Sequence, residues 1–248
     1  MASDKAILGI IGGMGTQATA CFYDVLHKQQ SVASEQEYID VLLYSKPSIP
    51  DRTAFITGQS TDSPLEHLIQ AAQMLESAGA SCIVIPCATS HYFYSDLINA
   101  VNIPVLNMLE ETALYIKECG INSVCLLATD GTIKGGYFQK ALEKHAIDVT
   151  VPSKSTQADL MDIIYDIKRG EIVPADIFDP IITEMQESGS EAVILGCTEL
   201  CVITDNARDN ARDNARSRTD TRCTSQRISL ISILDVLAEA SISFFRDK

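Results

Sequence analysis

Two of the chain's eight cysteines lie where a thiol could act as an acid or a base. Cys87 follows the apolar run 82–86 and Cys197 follows the apolar run 192–195, so each is expected just past the carboxyl end of a buried strand. Each also stands at a predicted helix start, where backbone amides lower the pKa of a thiol and stabilise its thiolate. Both cysteines are therefore candidate proton-transfer groups at neutral pH.

Metal binding is an alternative use of the same residues. Cys87 with His91, and Cys197 with Cys201, would place two pairs of soft ligands one helical turn apart. Structural zinc sites usually use Cys-x-x-Cys pairs, and Cys201 lies in an apolar run, so we expect no metal. We expect His91 to cap or polarise the turn after Cys87. The buried structural thiols are predicted at positions 21, 82, 119 and 125.

A glycine-rich turn near the N-terminus offers a second kind of site. The segment Gly13-Met14-Gly15-Thr16-Gln17-Ala18 follows a predicted strand and opens a helix, as in the dinucleotide-binding fingerprint. The second strand ends at Ser45-Lys46 and lacks the acidic residue that would bind a ribose. The loop could instead present its amides to a small carboxylate, or it could be a tight turn that needs glycine for its geometry.

Two basic residues could recognise an anionic substrate. Arg52 lies in the turn 48–53 after the second predicted strand, where its guanidinium could bind a carboxylate with two hydrogen bonds. The alternative for Arg52 is a surface salt bridge with Asp51. Lys168 lies near the end of a predicted helix, where a positive charge is favourable to the helix dipole.

The elements that must position these residues follow an α/β pattern. Short β-branched runs alternate with segments of helical period, which predicts mainly parallel sheets flanked by helices. The sequence around Cys87 resembles that around Cys197, so we predict two similar units with a cleft between them. Residues 1–107, completed by 228–248, would form the N-terminal domain, and 108–227 the second. Strands are predicted at Ala6–Ile11, Ile39–Ser45, Cys82–Pro86, Val124–Ala128, Ile147–Val151, Ala192–Leu195 and Ile228–Ile231.

Composition narrows the class of partner. The chain has 248 residues, 46% of them hydrophobic, and a formal net charge of -14. This charge argues against binding to nucleic acid or to an anionic membrane surface, because both need a concentrated positive field. There is no signal-like N-terminus and no apolar run of bilayer length, so we expect a cytoplasmic protein with reduced cysteines and a small partner. The polar, repetitive insertion 205–227 is predicted to be a solvated loop or a short exposed helix.

Taken together, the motifs resemble the aspartate/glutamate racemase family, nearest to its aspartate racemase branch. They are Gly12–Gly15, Ser48–Thr53, Pro86-Cys87-x-Thr89-x-His91, Ala128–Thr132 and Gly196–Leu200, and they occur in the family's order. The resemblance implies two α/β domains related by a pseudo-twofold axis, with the active site in the cleft between them. It also implies racemisation without pyridoxal phosphate or any other cofactor.

The resemblance further implies roles for individual residues. Cys87 and Cys197 would face each other across the substrate's α-carbon, where one thiolate removes the proton and the other thiol delivers one. Arg52 and Lys168 match positions that bind the side-chain carboxylate, which favours aspartate and then glutamate. Ala88 stands where the family usually has asparagine. The remaining substrate-binding positions are Met14, Ala88, Thr89, Thr129 and Thr198.

Other functions remain open at this point. One alternative is a related enzyme that uses a single cysteine as nucleophile or sole proton donor, such as a maleate isomerase or a decarboxylase, although the presence of both cysteines argues against a decarboxylase. A racemase of another amino acid is a further alternative. A catalytically silent protein could keep the cleft and bind the ligand without turnover. The predicted partner is a small acidic amino acid, and the family resemblance leaves a homodimer open.

Overall fold

Two parallel sheets form the framework of the protein. The computed structural model describes residues 5–204 and 228–246. The sheet of the first unit has the order β2-β1-β3, and that of the second unit has the order β5-β4-β6-β7. The first sheet contains β1 (Ile7–Gly12), β2 (Asp40–Ser45) and β3 (Cys82–Val84). The second contains β4 (Ser123–Leu127), β5 (Asp148–Thr150), β6 (Ala192–Leu195) and β7 (Ser229–Ser232).

Helices flank both sheets and connect their parallel strands. They are α1 (Thr16–Gln29), α2 (Arg52–Thr57), α3 (Leu65–Ser77), α4 (Tyr94–Ala100), α5 (Met108–Glu118), α6 (Asp130–Gly135), α7 (Tyr137–Lys144), α8 (Lys154–Lys168), α9 (Asp179–Glu187), α10 (residues 198–204) and α11 (Ile233–Arg246). Short 3-10 helices occur at Glu35–Glu37, Ala88–Phe93 and Ala175–Phe178. The predicted α/β class is confirmed. Within residues 5–204 and 228–246, no helix is both long and apolar enough to cross a bilayer.

The two sheets repeat one topology. Strand β1 lies between β2 and β3, and β4 lies in the same way between β5 and β6. The two sheets also match at the next strand position. Ile83 of β3 forms a parallel bridge with Val105, and β6 likewise pairs in parallel with β7. The predicted echo between the two halves of the sequence therefore corresponds to two similar units. Cys87 follows β3 and Cys197 follows β6, so the two cysteines occupy equivalent positions.

The last helix of each unit packs on the other unit. Helix α5 follows Val105 of the first unit and packs against α7 of the second, whereas α11 follows β7 of the second unit and packs against α1 of the first. Helices α5 and α11 also contact each other. The prediction that residues 228–248 complete the first domain is wrong for their strand, because β7 pairs with β6. Only α11 lies against the first unit.

The central strands are buried because helices cover them. Strands β3 and β6 are buried along their whole lengths, as expected for parallel strands that have helices on both faces. Phe22 of α1 and Phe138 of α7 are among the largest fully buried side chains, and each such burial contributes about 1.5–3 kcal/mol. Strand β2 is an edge strand and is more exposed. The predicted polar insertion 205–227 lies outside the described residues.

Candidate active site

The two candidate cysteines lie in the loops that leave β3 and β6 at the carboxyl edges of their separate sheets. Cys87 directly precedes the 3-10 helix Ala88–Phe93, and Cys197 directly precedes α10. Each cysteine is only 5% exposed. In parallel sheets of this kind, ligands bind at the carboxyl ends of the strands. The predicted placement of both thiols at strand ends is therefore observed, and both lie in an enclosed environment.

His91 anchors the turn that carries Cys87. Its Nε2 accepts the backbone N–H of Met108 at 3.1 Å, so Nδ1 carries the ring proton and donates to the Cys87 carbonyl at 3.0 Å. Burial lowers the pKa of His91 to about 4, which keeps the ring neutral. Both ring nitrogens are occupied by these bonds. His91 is thus a structural residue of the Cys87 turn, as the capping interpretation predicted, and not a free ligand beside Cys87.

Cys197 has a charged neighbour on its own helix. Its thiol donates a hydrogen bond to Oε2 of Glu199 at 2.9 Å. Oε1 of the same carboxylate accepts the backbone N–H of Gly15 at 3.0 Å, from the glycine-rich loop of the first unit. The Thr198 hydroxyl donates to Oε2 at 3.3 Å. Glu199 therefore connects a predicted catalytic thiol of the second unit to the backbone of the first, and it is only 2% exposed.

The expectation that a helix start lowers the pKa of each thiol is wrong for Cys197. Burial raises the pKa of the Cys197 thiol well above its ordinary value, and the Glu199 carboxylate raises it further. Lys168 opposes this by lowering the same pKa. Desolvation and an adjacent negative charge both disfavour a thiolate, and here they outweigh the helix amides. Cys197 therefore carries its proton at neutral pH.

Lys168 brings a positive charge to this cluster from the end of α8. Burial by itself lowers the pKa of Lys168, but Glu199 and Cys197 raise it, and the net effect is an increase. Its Nζ also lies 5.0 Å from the centre of the Tyr165 ring. The lysine is therefore charged and faces Cys197 and Glu199. The local sequence predicted only that the charge of Lys168 would interact favourably with the helix dipole, and it did not predict these two neighbours.

Arg52 is buried at the start of α2, in a segment that the sequence predicted as a turn. The guanidinium donates through Nη1 to the carbonyls of Ile49 and Pro50, and the residue is 7% exposed. Within the described part of the chain, its buried Nε has no hydrogen-bond partner. The surface salt bridge with Asp51 is not formed, because the Asp51 carboxylate caps α2 by accepting the Ala54 N–H at 2.8 Å. Arg52 thus retains an unused donor.

The glycine-rich loop is a tight turn, and its last amide is already occupied. Gly13 has φ +92°, and a Cβ there would lie 2.5 Å from the backbone of Lys46, so only glycine fits. The Gly15 amide binds Glu199, as described above. The sulfur of Met14 accepts the Ser90 hydroxyl at 3.3 Å. Through Met14, the loop contacts the turn that follows Cys87.

Three threonines join the two units beside Cys87. The Thr89 hydroxyl lies 2.9 Å from that of Thr129 and 3.0 Å from that of Thr132, and the last two are 3.1 Å apart. Thr129 also caps α6 by accepting the Thr132 N–H. Gly131 permits this approach, because a Cβ there would lie 2.8 Å from the Thr53 Cα. The predicted residues Thr89 and Thr129 are therefore in direct contact across the seam between the units.

The remaining predicted positions lie beside the two thiols. Ala88 and Thr198 follow Cys87 and Cys197 directly, and both are buried. Glu199 and Thr132 lie within the motifs Gly196–Leu200 and Ala128–Thr132 but are not among the predicted site residues. The available signal for Glu199 was a carboxylate two residues beyond a cysteine, within the first turn of a helix.

The two thiols thus lie at equivalent strand ends, and Cys197 has the Glu199 carboxylate bonded to it and the charge of Lys168 acting on it. Such a set can donate and accept protons and can bind a carboxylate. The family model described as Asp/Glu/Hydantoin racemase matches residues 11–221. The protein belongs to this family.

Individual relatives agree with this assignment. The broad specificity amino-acid racemase RacX of Bacillus subtilis (strain 168) is 26% identical over 212 residues, which cover 81% of this chain and 88% of the relative. The solved structure of Picrophilus torridus aspartate racemase is similar with a TM-score of 0.79 and 27% identity, covering 97% of this chain and 94% of that one. An aspartate racemase homologue from Pyrococcus horikoshii OT3 shares the fold, with a TM-score of 0.71, 24% identity and coverages of 98% and 99%.

Proposed function

We propose that this protein racemises aspartate, and more slowly glutamate, by proton transfer between the substrate's α-carbon and Cys87 and Cys197. The observation that carries the proposal is the equivalent position of the two thiols, one after β3 and one after β6, in units that share a strand order. A racemase must treat two mirror-image substrates with one site. Two groups of the same type, supplied by two similar units, suit that symmetry.

The chemistry needs only groups that the chain supplies. One thiolate takes the α-proton, and the opposite thiol gives its proton to the other face of the α-carbon. The carbanion formed between these steps would be stabilised by oriented hydrogen-bond donors. The candidates are the hydroxyls of Thr89, two residues after Cys87, of Thr129, which contacts Thr89, and of Thr198, which follows Cys197. The mechanism therefore requires neither pyridoxal phosphate nor a metal ion.

The cations support an acidic substrate. Among the described residues, the buried Nε of Arg52 has no hydrogen-bond partner. The raised pKa of Lys168 keeps its ammonium group charged. A substrate with two carboxylates would use both groups, and each charge-assisted hydrogen bond contributes about 1.5–3 kcal/mol. The name of the Picrophilus torridus relative agrees with aspartate, whereas the Bacillus subtilis relative is named for broad specificity.

The test is incubation of L-aspartate with the protein in deuterated buffer. Circular dichroism follows loss of optical activity, and proton NMR follows replacement of the α-hydrogen by deuterium. We expect both signals to decay, with faster decay for aspartate than for glutamate, alanine or lysine. The variant Cys119→Ser is the matched control, because Cys119 lies away from the site and is exposed, contrary to the prediction that it is buried.

Three results would contradict the proposal. Retained optical activity together with full α-deuteration would mean exchange without inversion, and binding without any exchange would mean a silent ligand-binding protein. Faster decay for a neutral or basic amino acid would overturn the substrate assignment alone.

A further inference from the structure

The two thiols have neighbours of different charge. Cys197 donates to the Glu199 carboxylate, which is held in place by the Gly15 N–H of the opposite unit. In the turn that follows Cys87, the polar side chains are the hydroxyls of Thr89, Ser90 and Tyr92 and the neutral His91. Among residues 5–204 and 228–246, no carboxylate forms a hydrogen bond with the Cys87 thiol. The similar units therefore place their cysteines in unlike electrostatic surroundings.

We propose that Glu199 is a positioning residue that keeps the proton on Cys197 in the empty site, so that Cys197 starts the reaction as donor and Cys87 as acceptor. This inference rests on the proposed two-cysteine racemisation. Glu199 acts through Cys197 and needs no contact with the substrate. The geometry is that of an acceptor fixed by a second hydrogen bond, because Oε1 is bound by Gly15 while Oε2 faces the thiol.

The first turnover then has a defined proton balance. The α-carbon's C–H bond breaks and its proton forms an S–H bond on Cys87. The S–H bond of Cys197 breaks and its proton goes to the opposite face of the α-carbon. The product state has Cys87 protonated and Cys197 as a thiolate beside the Glu199 carboxylate, with Lys168 as the compensating charge. Proton exchange with solvent restores the starting state.

Charged groups from several elements bear on this balance. Glu199 approaches Cys197 from the same helix and raises the pKa of the thiol, whereas Lys168 approaches from α8 and lowers it. Arg52 of α2 lowers the pKa of Lys168, whereas Asp51, which caps α2, raises it. Glu199 and Lys168 are therefore the two residues whose removal should move the titration of Cys197 in opposite senses.

The test uses the whole protein without substrate. Iodoacetamide alkylates thiolates, so the rate of modification of Cys197 in brief pulses, measured by peptide mass spectrometry from about pH 7 to about pH 12, reports its titration. A substrate-free measurement is needed because L- and D-aspartate have equal free energies, which forces kcat/KM to be the same in both directions. The Glu199→Gln substitution keeps the side chain's size and an acceptor but removes the charge.

We expect Glu199→Gln to lower the alkylation midpoint of Cys197 by about one pH unit or more, since a like charge nearby disfavours the thiolate. Burial continues to raise the pKa in this variant, so the midpoint stays above that of a free thiol. Lys168→Met should raise the midpoint. Glu171→Gln removes an exposed carboxylate near the end of α8 and should leave it unchanged. Circular dichroism confirms the fold of each variant.

Opposite shifts in the first two variants would support the proposal, because loss of structure cannot produce them. An unchanged or raised midpoint in Glu199→Gln, or a lowered one in Lys168→Met, would overturn it. If Glu199→Gln does not fold, Lys168→Met still tests the same electrostatics. Since no substrate is present, a failure here leaves the racemisation assay unaffected, and a failure of that assay leaves these midpoints measurable.

Discussion

The turns that carry Cys87 and Cys197 are equivalent in topology and different in what stabilises them. The Cys87 turn is a 3-10 helix fixed by two backbone bonds of His91 and joined to the other unit by threonine hydroxyls. The Cys197 turn begins an α-helix and is joined to the other unit by the Glu199 carboxylate. The threonine contact between the units is neutral, whereas the Glu199 contact is charged.

This difference shows which features the symmetry of the fold determines. The repeated strand order sets where each thiol lies. Cys87 follows β3, which pairs with β1, and Cys197 follows β6, which pairs with β4. The strand order does not determine the charge around the thiol, which depends on single residues such as His91 and Glu199. Similar backbones can therefore hold chemically alike groups in different electrostatic surroundings.

The largest effect is expected from removing either thiol. Cys87→Ser and Cys197→Ser should each lower the racemisation rate of aspartate by about 100- to 10,000-fold, the usual contribution of a general acid or base. Polarimetry with each enantiomer as substrate measures this. The comparison of the two turns would fail if one variant kept the wild-type rate, because that cysteine would then have no part in proton transfer.

The neutral anchor of the Cys87 turn predicts a dependence of stability on pH. The pKa of His91 is about 4 in the folded protein and 6.5 in an ordinary environment. As the pH falls through this interval, the unfolded chain takes up a proton there and the folded chain does not, so the folded state loses up to about 3 kcal/mol. This contribution is fully present above pH 6.5.

Urea unfolding of wild type and His91→Gln at several pH values measures this effect. Between pH 7 and pH 5, the free energy of unfolding of the wild type should fall by about 2 kcal/mol more than that of the variant. His27→Gln changes an exposed histidine and should keep the wild-type slope. Equal slopes for wild type and His91→Gln would show that His91 titrates normally.

The two cations allow a smaller, more selective test of the same comparison. Arg52 belongs to the first unit and Lys168 to the second, and Arg52 has the unused donor. Arg52→Met should lower kcat/KM for aspartate by about 10- to 100-fold, equivalent to about 1.5–3 kcal/mol, and alter the value for alanine much less. Arg52→Lys keeps the charge and should recover part of the loss. Equal losses for both substrates would remove Arg52 from carboxylate recognition.

Much of the fold could be predicted from the sequence. The strands are short and β-branched and end in recognisable turns, so their ends lie within two residues of the prediction. Helix α2 was missed because it has only six residues and follows a proline-rich turn. The pairing of β7 was missed because strand order depends on contacts between distant segments, and local periodicity carries no information about it.

The site was predictable in its residue types and less so in its electrostatics. The positions of Cys87 and Cys197 follow from strand ends alone. The raised pKa of Cys197 does not, because it depends on burial and on a carboxylate whose orientation is fixed by Gly15 of the other unit. The unpaired Nε of Arg52 could not be predicted either, since the local sequence indicated a salt bridge with Asp51.

The most direct test of the central claim is α-hydrogen exchange by the single-cysteine variants in deuterated buffer. Each variant retains one thiol, which can remove and return a proton on one face of the substrate without inversion. The account predicts that Cys87→Ser exchanges one enantiomer of aspartate and Cys197→Ser exchanges the other. Exchange of the same enantiomer by both variants would contradict it, because the two thiols would then not act on opposite faces of the α-carbon.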